Sequence, residues 1–153
     1  MLIVDKKKFI PALRFKWLTP LYDFLIGVTM PEMHIKQSLI NFSFLTDGDR
    51  VLDFGCGTAT LTIMAKEHRS TIKITGIDID KAILDKATEK INQKNLDIQL
   101  TGYDGESLPF EDNSFDRIIS CLVFHHLTTS AKQKILAELF RITKSNGQLF
   151  IAD

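Results

Sequence analysis

The chain has 153 residues, the length of a single domain, and its 44% hydrophobic and 25% charged content is that of an ordinary folded globule rather than a disordered or fibrous chain. Nineteen basic side chains balance nineteen acidic ones, so no global charge points to nucleic acid as a partner. No uncharged apolar run reaches the roughly 20 residues that a membrane span needs, and the two cysteines, Cys56 and Cys121, lack the spacing of a disulfide framework, so a cytoplasmic protein is expected.

Residues 1–45 differ from the rest and are expected to form an N-terminal helical lid segment, with 46–153 as the core of one overall domain. The segment reads as helices punctuated by Pro11, Pro20 and Pro31. Its first half is basic, with Lys6, Lys7, Lys8, Arg14 and Lys16 against Asp5 and Asp23. Asp23, the prolines and the lack of a small-residue cleavage site argue against a signal peptide. Pro31 suits the first turn of a helix, whose buried stripe is expected at Met33, Leu39, Ile40 and Phe42. Asp47-Gly48-Asp49 reads as a turn.

From Arg50 onward, strands and helices alternate. Arg50–Asp53 is a short apolar strand running into a glycine turn. Thr58–His68 reads as a helix with Leu61, Met64 and Ala65 on one face. Thr71–Ile77 is β-branched and strand-like. Asp80 is placed to cap a helix whose Ile83, Leu84, Ala87 and Ile91 recur at helical spacing. Ile98–Thr101 is a weaker third strand, and Phe115–Leu122 suits a strand buried on both faces. Ser130–Lys144 reads as a helix that Asn146-Gly147 stops, and Gln148–Asp153 as a last strand. This alternation predicts an α/β fold, a doubly wound parallel sheet with right-handed crossovers.

Ligands of such sheets bind beyond the carboxyl ends of the strands. There the sequence places Asp53, Gly55, Cys56, Gly57 and Thr58, then Asp78, then Tyr103, Asp104 and Gly105, then Cys121 to His126. Gly55 and Gly57 permit a tight turn and a close approach to the backbone. The following helix N-terminus suits an anionic group such as a carboxylate. Asp78 ends the second strand at the distance from the glycines where an acid accepts both hydroxyls of a ribose. Taken singly, Asp78 reads equally as a helix-capping acid and Asp104 as a solvated turn acid. Their joint placement at successive strand ends favours a ligand.

These stretches resemble the motifs of class I S-adenosylmethionine-dependent methyltransferases, over about Pro11 to Asp153. VLDFGCGTA resembles the family's first motif, ITGIDID its second acidic strand end and YDGESLPF its adenine loop. NSFDRIISCLVFHHL resembles the fourth-strand motif and NGQLFIAD the fifth strand. FKWLTPLYDFL resembles the N-terminal helix of the quinone C-methyltransferase group. Ala59 stands where a third glycine is usual. The resemblance implies a Rossmann-like sheet in the order 3-2-1-4-5, with S-adenosylmethionine as cofactor. Gly55, Cys56 and Gly57 would pass along its methionine part, with Asp53 beneath engaging the amino end. Asp78 would hold the ribose hydroxyls beside Ile79. Asp104 and the Gly105 N–H would meet the adenine, Cys121 and Leu122 would line the far side of the methionine arm, and Tyr22 would lie over the site. A nicotinamide-dependent oxidoreductase is the weaker alternative. It would want two phosphates cradled by a third glycine, whereas Thr60 and the acid before the first glycine argue against that.

Methyl transfer to a small-molecule, lipophilic acceptor is the implied reaction. His125, His126 and Tyr22 are the candidates for catalytic roles, and for the histidines packing or helix capping is the competing reading. Cys121, His125 and His126 are too loose a set for a metal. The segment LVFHHL lacks the Arg-Asn pair expected of quinone methyltransferases. The basic, aromatic run from Lys6 to Trp17 suggests weak contact with a membrane surface. The family's sixth and seventh strands are not found before Asp153. Leu149, Phe150 and Ile151 are therefore expected on an exposed edge, open to pairing with a second copy. A truncated chain that binds cofactor without turnover, or a regulatory partner of a complete enzyme, is the second expectation.

Overall fold

Five strands, β1 (Arg50–Phe54), β2 (Lys73–Asp78), β3 (Gln99–Gly102), β4 (Phe115–Cys121) and β5 (Thr143–Ala152), form one parallel sheet in the order β3-β2-β1-β4-β5, as expected. The architecture is that of a computed structural model, which describes residues 32–153. The proline-punctuated helices, the motif-bearing Phe15–Leu25 with Tyr22, and the basic run from Lys6 lie outside the described residues. Among the described residues, four α-helices accompany the sheet: α1 (Glu32–Phe42), α2 (Thr60–His68), α3 (Lys81–Gln93) and α4 (Thr129–Ile142).

The two faces of the sheet follow from the period of two along each strand. Leu52, Phe54, Ile77 and Ile118 point to one face, where Ile135, Leu139 and Ile142 of α4 cover them. Val51, Ile74 and Ile119 point to the other, beneath Leu39 and Ile40 of α1 and Leu61 and Ala65 of α2. Ala59 and Ile63 then meet Ala87 and Ile91 of α3 in a third cluster. Ile118 and Ile119 are both fully buried, on opposite faces. A buried isoleucine contributes about 1.5–3 kcal/mol by leaving water, so this pair alone secures the middle of β4 on both sides. Asp80 caps α3 as expected, accepting from the N–H groups of Ala82 and Ile83.

Two expectations are corrected. In α1 only Leu39 and Ile40 of the expected stripe are buried, while Met33 and Phe42 are 56% and 68% exposed. Phe42 lies round the helix from Ile40. Met33 lies on the side of Ile40 but two turns away along the helix, about 10 Å at 1.5 Å per residue. The second correction is at β5. The helix ends at Ile142, and Thr143 is already extended, its N–H and hydroxyl both bonded to the Leu139 carbonyl. Asn146-Gly147 is not the helix stop. It sits in a bulge, because Phe115 pairs with Thr143 but Arg117 pairs with Gln148. Only glycine fits there: a Cβ on Gly147 would stand 2.6 Å from Thr143 Cγ2 and 2.9 Å from the Phe115 carbonyl. Lys144, thrown outward by the bulge, bonds both oxygens of Asp116 at 2.8 Å, and Asp116 also accepts from the Arg50 N–H.

The turn after β1 depends on Gly55. Its φ is +73°, and a Cβ would stand 2.4 Å from Cγ2 of Val123. Gly55→Ala is expected to lose about 2–4 kcal/mol of stability in chemical denaturation. Adding Val123→Ala should return only the steric part, leaving the cost of the left-handed backbone. Full recovery in the double variant would show that the backbone conformation is not constraining.

Candidate cofactor site at the strand ends

The parallel register brings the ends of the strands level, with Phe54 opposite Ile77 and Asp78 opposite Gly102. The loop after β1 is then tied to β2 by its own backbone. The N–H groups of Gly55 and Cys56 both donate to the Ile77 carbonyl, at 2.9 and 3.0 Å. The Gly57 N–H donates to Asp78 Oδ2 at 2.9 Å, and Asp78 Oδ1 accepts from the Asp80 N–H at 3.0 Å. Each carboxylate oxygen keeps a further lone pair for a ligand. The Cys56 side chain turns down onto Gly76, where a Cβ would approach its sulfur to 2.9 Å. Nothing lies within 4 Å of a Cβ built on Gly57, so the outer side of the loop is open. Ala59 enters α2 in a left-handed conformation with no side-chain cap, leaving the first N–H groups of the helix to the loop. On the far side, Lys90 of α3 bonds Thr60 Oγ1 at 2.9 Å and the Thr58 carbonyl at 3.3 Å.

Asp53 lies beneath this loop, 1% exposed, and accepts from the Thr62 hydroxyl at 2.6 Å. Burial pushes its carboxyl up to about 6, opposed by the Thr62 bond and by the charge of Lys36. Thr62 has no sequence signal beyond its place on the inner side of α2, one turn before Lys66.

At the third strand end, Asp104 is exposed, and its Oδ1 accepts from the Glu106 and Ser107 N–H groups, which hold its carboxyl below the usual range. Gly105, at φ +85°, touches Ile79: a Cβ there would stand 2.8 Å from Ile79 Cδ1. Ile79, Leu84, Leu100, Tyr103 and Asp104 line a cleft of about 630 Å³. Tyr103 packs on Phe54 with ring centroids 6.0 Å apart; burial, then the charges of Asp78 and Asp104, push its phenol up to about 12. The loop beyond Asp104 is clamped from α4. Arg141 donates to the carbonyls of Leu108 and Phe110 and to Asp112, while Glu138 accepts from the Leu108 N–H and from Arg141. The Arg141 bond, then the Leu108 N–H, hold Glu138 at about 2. Spacing along the sequence gave no sign of this clamp.

At the fourth strand end, Cys121 is half-buried and Leu122 is left-handed at φ +57°, an uncommon conformation for a bulky residue. The Leu122 N–H is tied to the Ala152 carbonyl at 2.8 Å, and the next residue, Val123, lies over Gly55. A 3-10 turn, Phe124–His126, follows. His125 Nδ1 is 2.9 Å from Asp153 Oδ1, and the two histidine rings lie 4.0 Å apart. Burial, then the neighbouring His125 charge, hold His126 below its usual range. Neither histidine caps α4; Thr128 does, accepting from the Ala131 N–H. The structure thus brings Asp53, Gly55, Cys56, Gly57 and Asp78 together directly and sets Ile79 against Gly105. Cys121 and Leu122 flank the loop, and His125 is bound to Asp153.

The buried acid makes stability depend on pH. Asp53 binds its proton more tightly folded than unfolded, so stability is greatest below the unfolded carboxylate value and falls as pH rises through about 6. Between pH 5 and pH 8 the loss is about 1.5 kcal/mol. Asp53→Asn is expected to remove that slope in urea denaturation at the two pH values. An unchanged slope in the variant would assign the dependence elsewhere.

A family model described as a methyltransferase domain matches residues 51–147. The chain is 31% identical over 143 residues to a demethylmenaquinone methyltransferase of Listeria welshimeri, covering 91% of this chain and 60% of that protein. It is 36% identical over 109 residues to a demethylmenaquinone methyltransferase of Lactobacillus johnsonii, covering 69% and 44%. It therefore spans about 60% or less of the length of these relatives. A crystal structure of a SAM-dependent methyltransferase from Aquifex aeolicus shares the fold, with a TM-score of 0.71 at 24% identity over 84% of this chain and 70% of that one. The family match sets aside the nicotinamide alternative. The chain belongs to the methyltransferase domain family, with the Rossmann-like class I fold and S-adenosylmethionine as its cofactor.

Proposed function

We propose that this chain holds S-adenosylmethionine across the ends of β1 to β4 and transfers its methyl group to a small, lipophilic acceptor. The observation that carries the reading is the bond from the Gly57 N–H to Asp78, which sets an open glycine loop and an acid with spare lone pairs side by side. Asp78 accepts from the ribose hydroxyls, each such bond contributing about 1.5–3 kcal/mol. Gly55 to Gly57 run along the methionine arm, and Asp53 answers its ammonium. Ile79, Asp104 and Gly105 form the adenine slot, kept in shape by the Arg141–Glu138 clamp. Cys121 and Leu122 close the opposite wall.

When bound, the cofactor supplies a methyl group on a positively charged sulfur, a leaving group already activated. The chain's part is to orient the two reactants and exclude water. A proton acceptor is required only where the acceptor atom keeps a proton to be lost. His126, held neutral, suits that role better than His125, which is engaged with Asp153. The names of the two relatives make a quinone-type acceptor the first class to test, although LVFHHL lacks the Arg-Asn pair expected of that group.

Calorimetric titration of the chain with S-adenosylmethionine and S-adenosylhomocysteine is expected to give saturable binding, weakened about 10- to 100-fold by Asp78→Ala. No heat with either ligand would sink the reading. Binding without methylation of any acceptor in a panel led by quinols would instead favour a cofactor-binding chain without turnover.

The β5 edge supports self-association as well. Ile151 is 41% exposed there, and Ile35, Leu39, Phe42, Leu149 and Phe150 line an apolar groove of about 570 Å³ between α1 and β5. Light scattering is expected to show a dimer that Ile151→Lys disperses; a monomer at all concentrations would refute it.

A further inference from the structure

α1 leads down toward the start of β1 and packs against β5, β4 and α2. Ile40 packs with Val51 and Ile119 in one buried cluster. A helix rises about 1.5 Å per residue and a strand about 3.3 Å. Lys36, one turn above Ile40 on the same side, is therefore about 6 Å higher, level with Asp53, two residues above Val51. The electrostatics agree with this placement: the Lys36 charge acts to lower both the Asp53 carboxyl and the Cys121 thiol, at the ends of neighbouring strands.

The Lys36 side chain is only 13% exposed. An ammonium so covered is costly without an anion beside it. Its partner is Glu32, one turn further up and 26% exposed, on the solvent side of the pair. Asp78, Asp53 and Asp153 stand at the ends of β2, β1 and β5, while the other basic groups there are engaged elsewhere, Lys90 with Thr58 and Thr60 and His125 with Asp153. A ligand carboxylate entering there meets repulsion unless a cation receives it. The methionine arm carries one such carboxylate beside its ammonium, and Asp53 can answer only the ammonium.

We propose that Lys36 is the receptor for the carboxylate of the cofactor's amino-acid arm, exchanging Glu32 for it on binding; this rests on the arm lying along Gly55 to Gly57. Lys36 and Asp53 then form a matched pair of opposite sign, and the pair reads the zwitterionic end of the ligand. Specificity follows from the same geometry. A cofactor lacking its carboxylate leaves Lys36 with Glu32 and gains nothing from it.

The test is calorimetry on the full chain with two ligands, S-adenosylmethionine and decarboxylated S-adenosylmethionine. The unaltered chain is expected to prefer the first. Lys36→Met is expected to weaken binding of the first about 10- to 100-fold and of the second less than about 3-fold, while Lys36→Arg stays within a few-fold of the parent for both. Equal losses on both ligands, or no loss on the first, would overturn the proposal. Should Lys36→Met fail to fold by circular dichroism, Glu32→Gln decides. It removes the competing anion and is expected to tighten the first ligand about 3-fold or more and leave the second unchanged; no tightening would overturn the proposal. Failure of the unaltered chain to bind either ligand would bring down the cofactor reading itself, an outcome distinct from normal binding that ignores Lys36.

Discussion

The bond between the Gly57 N–H and the Asp78 carboxylate is the constraint on which the site depends. It joins the loop after β1 to the end of β2, and the paired donations of Gly55 and Cys56 to the Ile77 carbonyl hold that junction from below. Everything nearby is arranged around it. Cys56 can turn inward because position 76 is a glycine. Val123 can close over the loop because position 55 is one too. The left-handed Leu122 is what carries the chain from the top of β4 to that cover. A loop without side chains on its outer side, backed by a buried acid and bordered by an accepting one, is a surface shaped for a ligand with hydroxyls and a charged arm.

Support for the loop after β3 comes from a different direction. Arg141 and Glu138 belong to α4, which packs beneath the sheet through Leu139 and Ile142. The same helix that fills the core therefore holds the loop from Leu108 to Asp112. Charged bonds of this kind, partly exposed, contribute less to stability than buried ones. Their effect is geometric, since a planar guanidinium reaching two carbonyls and a carboxylate at once leaves the loop little freedom.

The alternating elements and the acids at the strand ends were legible in the sequence because they rest on local signals, whereas the sheet order was legible only through the family resemblance. β-branched runs, glycine pairs and a capping Asp80 each act within a few residues. The pairings that complete the site are of another kind. His125 meets Asp153 across 28 positions, and Arg141 reaches Leu108 across 33. Nothing within either stretch specifies its partner; the packing of α4 against the sheet does. Asn146-Gly147 misled for a related reason. A turn dipeptide marks a departure from regular backbone, and whether it ends a helix or bulges a strand is decided by its neighbour, here Phe115.

The inward turn of Cys56 has a chemical consequence. Cys56, its sulfur turned onto Gly76, and the half-buried Cys121 border the loop that, in the proposed function, would hold an alkylating cofactor. A thiolate there would compete with the acceptor for the methyl group, because the ionised form is the nucleophile. Burial, then the charges of Asp53 and Asp78, raise the Cys56 thiol above its ordinary range, and burial pushes Cys121 up to about 11. Both therefore stay protonated at neutral pH. In the proposed function, burial and, for Cys56, the neighbouring acids would thus also spare the chain from being alkylated by its own cofactor.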